Sequence, residues 1–309
     1  MKKQLYTFFL MSVSVFAVSI LFSSCEDEIS PELESADPIL VVDAWITDQP
    51  GSQVISLTET QPYFDNALPP GVSGATVSVT DDLGNVFVFQ EDAALKGNYV
   101  WTPVGSEVIG STGRRYTLVV EHGTETFVST SRMGRVPVID SLTFIFEEED
   151  SFIPDSYFAE FWATDMAGPN DTYRIKTWKN GVLLNKPNEL NLAYDAGFSA
   201  GGNFDGVTFI TPIRRGINPF EEDENEEFVS PYLPGDSIYV EIHSITLEAF
   251  NFLNEVAIQT DRPGGFSELF ATPLSNVSTN IFNENPNGKP VLGFFNVAAV
   301  SALGKKFEE

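Results

Sequence analysis

One cysteine and two histidines are all that this chain of 309 residues offers to thiol or imidazole chemistry. A single cysteine excludes an intramolecular disulfide and a multi-thiolate metal site. A Ser-His-Asp arrangement would have to use His122, which falls at a predicted hairpin tip, or His243, which reads as an ordinary surface or interface residue on a strand face beside Glu241. Neither context suits general-base work. Basic residues are scarce too, with 17 Lys and Arg against 44 Asp and Glu and a net charge of −27. A surface of that sign repels phosphate backbones and anionic headgroups, so nucleic acid is not expected as a partner. Such acidity serves the solubility of an exported protein. HExxH, GxSxG, Walker and dinucleotide fingerprints are absent, and no cofactor is expected.

The informative part of the sequence begins with Lys2 and Lys3, followed by an uncharged apolar run from Phe8 to Phe22, then Ser23, Ser24 and Cys25. Charged, apolar and small residues in that order form a secretory signal, and the apolar run is too short to span a bilayer comfortably. The placement of the cysteine resembles a bacterial lipobox, although Phe22 stands where Leu is commoner. Residues 1–24 are therefore expected to be a lipoprotein signal peptide, and Cys25 the acylated N-terminus that holds the chain to a membrane. Residues 25–37 (CEDEISPELESAD) read as an acidic tether with little to bury. The acids are either a solvated leash or, by resemblance to lipoproteins of Bacteroidota-type bacteria, a signal for the outer face of the outer membrane.

From Ile39 the chain is cut into short apolar runs by turn residues. ILVVDAWI, QVISLTET, ATVSVT, NVFVFQ, KGNYVW, RRYTLVV and TFVSTS make about seven strands within residues 38–136, the pattern of an antiparallel sandwich. Gly134 and Pro137 mark a joint to a second β-rich domain over 137–309. There Asn180 and Gly181 form a type I′ hairpin signal. GDSIYVEIHSI alternates, and 246–259 forms a helix capped by Thr246, with Leu247, Phe250, Leu253, Val256 and Ala257 on one stripe. VLGFFNVAAVSA reads as a buried final strand.

Residues 185–235 lack a period, and such insertions are functional loops or disordered ones. Tyr194, Phe198, Phe204 and Phe209 lie there among glycines, which predicts exposed aromatics able to anchor a partner. The run EEDENEE lacks the glycine and alternating ligands of a calcium loop. It reads as a solvated loop, with Asp223 and Glu226 as weak metal candidates. Trp45, Trp101, Trp162 and Trp178 sit in strand patterns and serve core or cross-strand packing, with stacking on sugar rings as the alternative.

The segment GATVSVTDDLGN through GNYVW to YTLVVEHG resembles the Ig-like and carboxypeptidase-regulatory-like modules of bacterial surface proteins. The whole chain after the signal also resembles a family of Bacteroidota-type outer-membrane lipoproteins of unknown function. The resemblance is carried by the lipobox and acidic tail, LVVDAWITDQPG, RVPVIDSLTF, GDSIYVEIHSIT and NPNGKPVLGFFNVAAVS. It departs at GGFSELFATPLSN, where the family tends to carry a proline-rich Phe-Asp-Pro segment. Such proteins are commonly encoded beside TonB-dependent receptors, so the resemblance implies a non-enzymatic accessory or binding partner of such a receptor in nutrient uptake. A surface module binding a glycan or peptide is the alternative, and a carboxylate-based hydrolase is more distant.

Overall fold

The computed structural model describes residues 36–308 except 63, 64, 150–152, 226, 263 and 272. The expected signal peptide, Cys25, most of the expected tether and Glu226 lie outside the described residues. Pro38–Glu309 forms one compact unit that is mainly β, with sixteen strands among the described residues.

Seven strands follow the tether: β1 (Leu40–Thr47), β2 (Gln53–Glu59), β3 (Thr76–Asp81), β4 (Val86–Glu91), β5 (Asn98–Trp101), β6 (Arg115–His122) and β7 (Glu125–Arg132). Their alternation puts Val42, Ala44 and Ile46 of β1 into the same core as Leu57, Val79, Leu118 and Val120. Strand β4 pairs with β3 through Val86–Phe89 and with β5 through Gln90 and Glu91, so it carries the sheet from one layer to the other. Tyr99 pins this corner, its hydroxyl accepting from Ala75 N and donating to Val72 O, each at 2.9 Å.

The second half contains β8 (Ile139–Glu147), β9 (Ser156–Ala163), β10 (Thr172–Lys179), β11 (Val182–Leu184), β12 (Asn191–Tyr194), a short α1 (Thr211–Arg215), β13 (Ser237–Ile245), α2 (Leu247–Thr260), β14 (Phe282–Asn283), β15 (Val291–Ala298) and β16 (Val300–Lys306). Strands β8 and β9 form a separate hairpin. A second sheet runs β11-β10-β13-β16, with β12 also on β10. Asn180 and Gly181 turn β10 into β11 with φ of 52° and 78°, as a type I′ turn requires. Thr246 caps α2 by accepting from Ala249 N at 3.2 Å, and Ala249, Phe250 and Leu253 are buried, whereas Leu247 of the expected stripe is exposed.

The expected boundary between 136 and 137 divides the sequence but not the sheets. The first sheet runs β14-β7-β6-β3-β4-β5-β2-β1-β15, so both of its edges come from the second half. The apolar run of β1 has a free side that must be covered, and β15 pairs there in parallel from Leu40↔Val291 to Thr47↔Ala298. The single final strand expected from VLGFFNVAAVSA is two strands parted at Ala299. The first closes the first sheet, and β16 pairs antiparallel with β13 in the second. At the change-over Ala299 N donates to Ser244 Oγ at 2.8 Å and Ser244 N to Ala299 O at 2.9 Å.

Candidate functional site

Of the four aromatics expected to be exposed in the 185–235 region, Tyr194, Phe204 and Phe209 belong to the cores. Phe209 is fully buried between the rings of Phe161 and Tyr173, at 5.6 and 5.5 Å. Tyr194 is buried against Phe250, and its hydroxyl donates to Asn170 Oδ1 at 2.6 Å. Phe204 is half-buried, packed against the second core and lying over Gly197 and Gly202. Only Phe198, 56% exposed, fits the expected exposed anchor. The correction has a physical cause: β12 is buried at all four positions and α1 presents Ile213 inward, so this stretch contributes to the second core.

Asp223 is exposed, and its carboxylate accepts from the backbone N of Asn225 and Glu227, which holds it below the usual range. These bonds are those of a local turn. Trp101 is a core residue with the Phe87 ring at right angles to its own, and Trp162 donates to Thr143 Oγ1 at 3.0 Å beneath the guanidinium of Arg214. His122 ends β6 opposite Glu125 at the predicted tip. His243, expected at the surface, is only 8% exposed.

His243 belongs to a charged face built by strand register. The pairs Arg174↔His243, Lys176↔Glu241 and Trp178↔Tyr239 place six polar or aromatic side chains on one side of the β10–β13 ladder. The alternate residues Tyr173, Ile175, Val240 and Ile242 fill the core behind it. Asp43 of β1 approaches the same face, while Trp45 stacks on Phe294 at 5.8 Å and receives the guanidinium of Arg174 over its ring at 5.7 Å. Burial pulls Arg174 and Lys176 below their ordinary values, and the two cations also repel each other's charge at Lys176. Asp43 keeps solvent contact but is crowded by protein, and that crowding pushes its carboxyl up against the pull of Arg174.

Glu241 Oε2 lies 2.7 Å from His243 Nε2. Burial pushes Glu241 up, but the bond to His243 and the nearby cations more than offset this and leave it low. Burial lowers His243 despite Glu241, so the neutral ring donates its Nε2–H to an ionised carboxylate. An unfolded chain then takes up a proton near pH 6.5 that the folded chain refuses, and stability falls as pH drops from that point. The contribution of Glu241 is lost at lower pH, below the ordinary carboxylate range, and Asp43 acts with the opposite sign. His243→Gln should therefore flatten the stability profile between pH 7 and about 5 in urea titrations. Profiles that run parallel for the two proteins would contradict a neutral buried imidazole.

A second group lies beyond the far end of β10. Asp165, Asp171 and Asp195 bring one ligand atom each within 4.8 Å of the others, a metal-capable set that the sequence reading missed. Asp165 accepts from the Tyr173 hydroxyl at 2.7 Å and Gly206 N at 3.0 Å, and Asp195 Oδ1 accepts from the N of Asn170 and Asp171. Asp171 receives the Arg135 guanidinium, which also donates to the carbonyls of Met166 and Gly168. Burial and the charges of Asp165 and Asp205 push Asp195 up. With its oxygens engaged in this way, the group ties the segment after β7 to the turn before β10.

Period-two alternation in TYRIKTW and SIYVEIH carried the signal for the charged face, but only their pairing shows that the two polar sides coincide. The family model described as Domain of unknown function (DUF4249) matches residues 26–303. The chain belongs to that family. The DUF4249 match includes both charged groups and β1 through most of β16. No curated protein matches the chain.

Proposed function

We propose that this DUF4249 protein is a lipid-anchored, non-enzymatic protein of the outer membrane that works as accessory or binding partner of a TonB-dependent receptor in nutrient uptake. The observation that carries the reading is Cys25, placed directly after the apolar run Phe8–Phe22 and Ser23-Ser24 and directly before the family region at residue 26. Among the described residues no helix is long and apolar enough to cross a membrane. The reading assigns attachment to acyl chains on Cys25. Residues 26–37 reach at most about 40 Å when fully extended, which keeps the folded unit within range of a receptor in the same membrane. Exposed rings suited to such a contact are Phe266 and Phe270, 77% and 78% exposed and 5.7 Å apart, together with Phe198.

Cys25→Ala should abolish acyl labelling and move the protein out of the membrane fraction. A variant that stays fully membrane-bound, with a wild type that takes up no label, would remove the lipoprotein reading. Capture of the wild type from native membranes should bring a receptor with it, and Phe266→Ser with Phe270→Ser should weaken that recovery without shifting the melting transition. A surface ligand-binding module is the second reading, favoured by a groove beside α2.

A further inference from the structure

Arg114, Arg135, Lys179, Arg214 and Arg215 are half-buried, and each lies within 3.8 Å of a carboxylate. Arg174 and Lys176 are half-buried as well, but among the described residues neither side chain has an ion pair or a hydrogen bond. Their close company is aromatic, Arg174 over Trp45 and Lys176 over Trp178 at 5.1 Å. Unlike those five, Arg174 and Lys176 meet Asp43 and Glu241 only from beyond ion-pair distance. Half-burial costs a charge solvation, and a ring face returns only part of it.

Both side chains line a groove of about 240 Å³ between α2 and the β10–β11 hairpin. Its other walls are mixed, with Leu184 and Leu190 on one side, Leu253 and Val256 of α2 on the other, and Asn185, Thr260 and the mutually paired Lys186 and Glu189 completing the lining. We propose that this groove binds a small monocarboxylate with an apolar stem, its carboxylate on Arg174 and Lys176 and its stem between the four apolar side chains. A planar guanidinium beside an ammonium matches a carboxylate. The volume lies below the usual range for drug-sized ligands, which limits the stem to a short acyl or aryl group. Asp43 and Glu241 flank the cations, so their combined charge disfavours a phosphate dianion. The low protonation affinity of buried Lys176 would be restored by a bound anion. The inference is independent of how the chain is anchored.

The test uses the full chain in detergent, with calorimetry and tryptophan fluorescence, since Trp45 and Trp178 adjoin the two cations. The probes are 3-phenylpropionate, its uncharged amide and inorganic phosphate. The carboxylate should bind at least about tenfold more tightly than either of the others, as expected for a charge-assisted contact. Lys176→Gln and Arg174→Gln should each weaken the carboxylate by about tenfold and leave the amide unchanged. Equal binding of carboxylate and amide, phosphate binding as tight as the carboxylate, or no saturable binding of the carboxylate at millimolar concentration would each overturn the proposal. The wild-type comparison needs no variant to fold. Carboxylate affinity that is unchanged in a folded Lys176→Gln protein would place the binding elsewhere and overturn the proposal too.

Discussion

Gly293→Ala is expected to destabilise the protein by about 3 kcal/mol or more, among the largest effects open to a single added methyl. Gly293 lies inside β15 with φ of +98°, opposite Val42 in the parallel ladder with β1. A Cβ built there collides with the backbone carbonyl of Val42, an atom that cannot swing aside like the end of a side chain. Relief requires β15 to move, and β15 delivers Phe295 and Val297 to the first core and Phe294 to the cluster under α2. It also leads directly into β16 of the second sheet. Gly51→Ala separates the two sources of cost. Gly51 has a similar φ of +110° and nothing within 4 Å of its ideal Cβ, so it should lose only the conformational penalty of about 1–2 kcal/mol. Urea unfolding of both variants measures the difference. Equal losses would mean that β15 yields easily and that the parallel pair is not a rigid edge of the first sheet.

What the sequence made legible follows from how local each signal is. The strands β1 to β7 alternate with one face on a core and one toward water, and turn residues separate them, so period and punctuation agree. The same holds for Asn180-Gly181 and for Thr246 before α2, where one or two residues determine the backbone. The pairing of β1 with β15 has no such signal, because parallel neighbours need no shared turn and are distant in the chain. The break at Ala299 was hidden for a related reason: both halves of VLGFFNVAAVSA are apolar, and only their partners differ. Strand β12 shows another limit. All four residues of NLAY are buried, so there is no polar face to mark it as a strand, and the glycines that follow made the stretch look irregular. The charged face was half visible, since the alternation of β10 and β13 could be read, but the approach of Asp43 and the lack of a carboxylate within ion-pair distance of Arg174 and Lys176 are tertiary facts.

The placement of the 185–235 aromatics leads to the second large effect. Phe209→Ala should cost about 3–5 kcal/mol, the usual range for removing a buried phenyl ring. The ring packs between Phe161 and Tyr173, and the backbone beside it is held by Phe209 N donating to Ala163 O and by Ile210 N donating to Ala196 O. Collapse into the gap is opposed on both sides, since Phe161 belongs to the β8–β9 hairpin and Tyr173, whose hydroxyl is fixed on Asp165, belongs to β10. The cavity term should therefore remain. Phe198→Ala, earlier in the same stretch, removes a ring that water already reaches and should change stability by no more than about 0.5 kcal/mol. Thermal and urea melts of the two variants, with receptor capture from membranes on the same samples, separate folding from contact. Loss of stability confined to Phe209→Ala would make the segment part of the second core, with Phe198 left as the available anchor among the four expected ones. Near-neutral behaviour of Phe209→Ala would mean that the segment detaches from the hairpin and sheet at little cost, and that its rings are free to meet a partner after all.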